Sequence, residues 1–174
     1  MTAPFLSIDK DVCKEQGMYR YLATIILILL NVFPAVAEEC TLNRYGSLVT
    51  EARNTDVARN WAKSVESYNR MLNECAAFIN NADLVKTYDA LSVALMMNEN
   101  YAAAIDNAKK CLELNNRYNS CMMAASLSYE KLGDLDMAIS FAQAAVEVGG
   151  YDDYSSAVVI LAKDFLKKQG KTLK

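Results

Sequence analysis

The chain repeats itself. The segment LSVALMMNENYAAAIDNAKKCLEL, starting at Leu91, and ASLSYEKLGDLDMAISFAQAAVEV, starting at Ala125, superpose without a gap at an offset of 34 residues. Under that offset Ser92 falls on Ser126, Glu99 on Gly133 and Ala104-Ile105 on Ala138-Ile139. Ala108 falls on Ala142, Cys111 on Ala145, and Leu112 and Leu114 on Val146 and Val148. Each copy predicts two helices joined by a short polar turn, Asn98-Glu99-Asn100 in one and Gly133-Asp134 in the other. Small residues at Ser92, Ser126, Ala104, Ala138, Ala108 and Ala142 let antiparallel helices approach closely. Leu91, Leu95, Ile105, Leu112, Tyr129, Ile139 and Val146 supply apolar surface at helical spacing. A single hairpin cannot bury that surface, whereas hairpins stacked side by side can, so a period of this kind constrains the chain to a helical stack.

A fainter copy lies upstream. Trp61-Ala62-Lys63-Ser64-Val65, Tyr68, Met71 and Leu72 match Tyr101-Ala102-Ala103-Ala104-Ile105, Ala108, Cys111 and Leu112 at an offset of 40. The extra residues are expected within Ala76–Asn81, and the first helix of this copy over Tyr45–Ala58. Downstream, Gly149-Gly150 reads as a helix terminator. Ser155–Lys168 follows, with Ala157, Val158, Leu161, Ala162 and Phe165 on one face and Lys163, Asp164, Lys167 and Lys168 largely opposite. Such a helix would close the exposed end of the stack. The expected divisions are a mature N-terminal segment at 38–44, a degenerate first repeat at 45–84, and repeats at 85–118 and 119–152. A capping helix and tail follow at 153–174. The fold class is all-α: an α-α superhelical solenoid of about three helix-turn-helix repeats plus a C-terminal capping helix.

The period and these residues resemble the tetratricopeptide repeat family over about residues 45–170. Tyr129, Gly133, Ala138 and Ala145 occupy the family's characteristic slots in the last repeat. The middle repeat departs, with Leu95 for the aromatic, Glu99 for the glycine and Asn116 where a proline is usual. The resemblance implies a right-handed superhelix whose concave face is lined by the first helices and binds a protein or peptide partner. By helical phase, that groove would present Lys86, Asp89, Val93, Met96 and Met97 from one repeat. From the next it would present Ser120, Met123, Leu127, Glu130 and Lys131. Met96, Met97 and Met123 would form an adaptable apolar floor, and Lys86 and Lys131 would hold acidic groups at its edges. The alternative is that the methionines fill core gaps and the charges are a solvated face. Relatives that clamp a C-terminal carboxylate use converging lysine, arginine and asparagine, a set not found here.

The front of the chain reads differently. From Met18 it runs MYRYLATIILILLNVFPAVAEEC: a basic Arg20, an apolar stretch Leu22–Phe33, then the small-x-small triplet Ala35-Val36-Ala37. This is the layout of a secretory signal peptide. Its apolar core has about 12 residues, short of the roughly 20 a spanning helix needs. Residues 1–37 are expected to be removed, with Met18 as an alternative start, leaving an exported, periplasmic or secreted protein with no membrane insertion. The alternative is an anchor retained over residues 22–37. Cleavage would remove Cys13 and leave Cys40, Cys75, Cys111 and Cys121, enough for two disulfides in three pairings. Cys111 and Cys121 flank the polar turn 115–119 and are close enough to bridge, and Cys40 could then tie the N-terminus to Cys75. Alternatively Cys111 is simply a small packing residue.

Composition restricts the chemistry. The chain has no histidine, so no Ser-His-Asp or Cys-His system and no histidine metal ligand exists. The sequence contains no Gly-rich phosphate loop, metal-ligand cluster or nucleophile elbow, and Asp152-Asp153 reads as a loop or helix cap. No catalysis, cofactor or metal is expected. A net charge of −3 offers no basic footprint for nucleic acid. Three functions fit: a partner-binding scaffold or adaptor, a homo-oligomeric envelope subunit using the edge near Tyr45–Ala58, or a secretion-type chaperone if the N-terminal segment is not used.

Overall fold

Seven helices and no strand form among the residues that the computed structural model describes, 40–149 and 153–171. They are α1 (Leu42–Val57), α2 (Trp61–Cys75), α3 (Asn81–Met97), α4 (Tyr101–Leu114), α5 (Asn119–Leu132), α6 (Leu135–Val148) and α7 (Asp153–Lys168). The expected signal segment, residues 1–37, lies outside the described residues. Helix α1 begins three residues before Tyr45 because Thr41 caps it: the Thr41 hydroxyl accepts the Arg44 N–H at 3.2 Å. The residues that lengthen the first repeat form the turn between Cys75 and Asn81, where Asn80 caps α3 through the N–H of Asp83 at 2.9 Å.

The three turns inside the repeats share one backbone design. Arg59, Glu99 and Gly133 all adopt positive φ, at 53°, 61° and 85°, and they occupy the same slot in successive copies. The next residue donates its N–H to the carbonyl five positions back: Asn60 to Thr55 (3.0 Å), Asn100 to Leu95 (2.9 Å) and Asp134 to Tyr129 (3.0 Å). This left-handed closure satisfies the last carbonyls of the first helix. The same residue then heads the second helix. Asn60 accepts the N–H of Lys63 and Asp134 that of Met137, so end and start are welded within three residues.

Each helix packs on its neighbour in sequence, and the first helices also stack, α3 on α5 and α5 on α7, whereas α1 and α3 are less closely packed. Close approach rests on small residues in equivalent slots. Ser64, Ala104 and Ala138 are fully buried in the second helices, and Ala52, Ser92 and Ser126 in the first. Ser126 ties its hairpin together by donating to the Ala138 carbonyl at 2.7 Å. The core runs through three clusters: Leu48, Tyr68, Met71 and Leu91 at the N-terminal end, Val85, Ala108 and Ala125 in the middle, and Ala142, Val158, Phe165 and Leu166 at the C-terminal end. Helix α7 buries Val158, Ala162, Phe165 and Leu166 against the last hairpin. Leu161, expected on that inner face, sits at its edge and stays 47 % exposed.

Of the three cysteine pairings open to the sequence, the one formed joins Cys40 to Cys75 and Cys111 to Cys121. The first fastens the chain ahead of α1 to the end of α2. The second joins the end of α4 to the start of α5. Arg44 reinforces the first junction through its guanidinium on Glu74 at 2.5 Å, and Arg70 bridges Glu51 and Glu74 at 2.9 and 3.7 Å.

Candidate partner-binding face

Helix α3 is the spine of the candidate site. Three cavities follow one another along it from Asp83 to Met97, a helical length of about 21 Å at 1.5 Å per residue. The first, about 270 Å³, lies between α1 and α3 and is lined by Tyr45, Val49 and Arg53 of α1, Tyr68 and Met71 of α2, and Asp83, Lys86, Thr87 and Ala90 of α3. The middle one, about 280 Å³, is lined by Asp56, Trp61, Asp89, Ala90, Val93 and Ala94. The last, about 300 Å³, is lined by Met96, Met97, Glu99, Tyr101, Leu127 and Lys131. Two methionines, a leucine and a tyrosine make up most of its lining.

The electrostatics differ from one cavity to the next. In the first, Lys86 pairs with Asp83 at 3.3 Å. Burial, and then Asp83, raise the Tyr45 phenol above its usual range. Burial, followed by the hydrogen bond to Asp56, pushes the Tyr68 phenol up. In the middle cavity, Asp89 is only 8 % exposed. Burial pushes its carboxyl up to about 6, opposed only by the hydroxyl of Ser120, which donates to Oδ1 at 2.7 Å.

Seven of the ten expected groove residues line these cavities: Lys86, Asp89, Val93, Met96, Met97, Leu127 and Lys131. Two others are interior. Met123 is 3 % exposed and packs in the C-terminal cluster with Ala138 and Ala142, so it is core and not groove floor. Ser120 is 4 % exposed and acts from beneath, through Asp89. The physical reason is that α5 is covered by α4, α6, α3 and α7 together, which leaves it only a narrow open stripe at its C-terminal turn. Glu130 is half-buried and lines none of the three cavities.

The α1–α2 contribution was missed because the first repeat matches weakly in sequence. Its signal was present in outline: Tyr45, Val49 and Arg53 recur every fourth residue, a single helix face.

No protein-family model and no curated protein matches the sequence. Solved structures do match. PcrH from Pseudomonas aeruginosa is 15 % identical, with a TM-score of 0.67 over 78 % of this chain and 98 % of that one. PcrH in complex with the chaperone binding region of PopB is 14 % identical, with a TM-score of 0.62 over 72 % of this chain and 96 % of that one. The TPR domain of Arabidopsis OM64 is 13 % identical, with a TM-score of 0.58 over 72 % and 95 %. The chain therefore has the tetratricopeptide-type fold, an all-α helical-repeat solenoid. At these identities the likeness establishes the fold, and function has to be argued from the face itself.

Proposed function

We propose that the protein is a non-enzymatic scaffold that holds a segment of a partner protein along α3, and that it works outside the cytoplasm. The observation that carries the reading is the succession of three cavities along one helix, ending in the Met96, Met97 and Leu127 pocket. A chain of shallow, chemically distinct pockets suits successive side chains of one segment better than a single small molecule. Methionine lends such a pocket adaptability. The likeness to PcrH, which has been solved with the chaperone binding region of PopB, supports a partner segment as the ligand. It also favours, as the alternative, a secretion-type chaperone should residues 1–37 remain attached.

Export is supported by the signal-like segment before Cys40 and by two disulfides, which persist in oxidising compartments. The test is a photo-cross-linking residue in place of Met97 in intact cells. It is expected to give a discrete partner adduct that disappears when Leu127→Glu is added. An absent adduct, or one indifferent to Leu127→Glu, sinks the binding face. Fractionation that finds the chain cytoplasmic with reduced cysteines sinks the export part alone.

A further inference from the structure

We propose that the middle cavity seats a basic side chain, the ammonium of a lysine or the guanidinium of an arginine on the bound segment; this rests on the reading of the α3 side as the binding face. Asp89 is a buried carboxylate with no cation paired to it among the described residues. The ion pairs among the described residues use Glu51, Glu74 and Asp83 as their acids. One oxygen of Asp89 is held by Ser120, and the other accepts no hydrogen bond among the described residues. A buried charge without a counter-ion is costly to the fold, and this one faces a cavity through which a counter-ion can enter. Two cations that line the preceding cavity are engaged there. Lys86 is paired with Asp83, and Arg53 lines the preceding cavity, where it acts on Tyr68 and not on Asp89.

The rest of the lining suits the same guest. Asp56 adds a second carboxylate, with Oδ2 engaged by the Tyr68 hydroxyl. Trp61 lines the same cavity, and an indole attracts a cation placed over its ring. Ala90, Val93 and Ala94 give the apolar wall that a methylene stem covers. The volume, about 280 Å³, is several times the ~30 Å³ of one water and falls below the usual range for drug-sized ligands. Among the described residues no group of three or more metal-binding side chains converges, which argues for an organic cation. Asp89 lies seven and eight residues before Met96 and Met97, so the basic residue should sit about 11 Å from an apolar anchor. That is three or four residues away in an extended segment, or seven or eight in a helical one.

The test is selection of a phage-displayed random dodecapeptide library on the full, oxidised chain. The expected consensus joins an apolar anchor to lysine or arginine at one fixed spacing. A synthetic consensus peptide should perturb the fluorescence of Trp61, the chain's single tryptophan. Its Lys→Gln version should bind about 10- to 100-fold more weakly. Asp89→Asn should lose most of the lysine preference, keeping only the few-fold share that Asp56 supplies. Glu113→Gln, an exposed acid away from the cavity, should keep the lysine preference. An apolar consensus without a basic position overturns the basic seat and leaves the binding face standing. So does a lysine preference that is undiminished in Asp89→Asn or is lost equally in Glu113→Gln. No consensus at all overturns both.

Discussion

The Oγ of Ser120 on α5 donates to Oδ1 of Asp89 on α3 at 2.7 Å, joining the first helices of two successive repeats across 31 residues of sequence. The Cys121 sulfur lies 3.5 Å from the same oxygen, but as half of a disulfide it has no proton to donate. Ser120 is therefore the one donor that offsets the burial of this carboxylate among the described residues, and the carboxyl is held at about 6 instead of 3.8.

That displacement predicts an unusual pH dependence. Asp89 takes up its proton more readily in the folded chain than in the unfolded one, so between about pH 4 and 6 the folded form binds more protons. Its favourable contribution is complete below about pH 4, is lost as the pH rises toward 6 and stays lost above it. The full swing is at most about 3 kcal/mol. Asp89→Asn should therefore melt at a higher temperature than the wild type at neutral pH, with the gap closing in acid. Circular-dichroism melts across this range measure it; an Asn variant less stable at neutral pH would contradict the account.

Arg59 and Glu99 hold the left-handed conformation that Gly133 adopts freely. An L-residue loses roughly 1–2 kcal/mol there, partly offset by the lower entropy of its unfolded chain. Arg59→Gly and Glu99→Gly should each stabilise by about 0.5–1 kcal/mol, read as a higher urea midpoint with unchanged slope. Gly133→Ala should destabilise by about 1 kcal/mol through backbone strain alone, because an added Cβ at Gly133 meets no atom within 4 Å.

Two serines on α5 should respond oppositely to removal of their hydroxyls. Ser126 donates to the Ala138 carbonyl at 2.7 Å, while the buried Ser128 hydroxyl has no partner among the described residues. Ser126→Ala should cost about 1 kcal/mol and Ser128→Ala should gain about as much. Equal and opposite shifts in denaturant midpoint are the expected result. A Ser128→Ala variant that loses stability would reveal a partner for that hydroxyl.

The two disulfides should contribute unequally. Cys40–Cys75 closes 35 residues and Cys111–Cys121 closes 10. On chain entropy they are worth about 4 and 3 kcal/mol respectively. Paired Cys→Ala variants, melted with and without dithiothreitol, separate the two. The reductant should no longer affect a variant lacking both pairs.

The helices, their order and their turns were legible because their determinants are local. Gly133-Asp134 writes a left-handed stop and a helix cap in two residues, and the alanine and serine slots 34 residues apart mark where helices touch. The cysteine count permitted two bonds and the ten-residue spacing of Cys111 and Cys121 pointed to the pairing that forms, but whether the bonds close depends on which helix ends meet. The cavity-lined side of α3 was partly legible. Helical phase located Val93, Met96, Met97, Leu127 and Lys131, because their neighbours on one helix settle which way they face. It misassigned Met123 and could not anticipate the burial of Asp89, since those outcomes depend on how many helices surround α5 and on what α5 presents to α3. By itself, then, the sequence determined a stack of helical hairpins with defined turns. Tertiary packing decided which polar residue lost its water, because desolvation is imposed by every element around a side chain and not by its own helix.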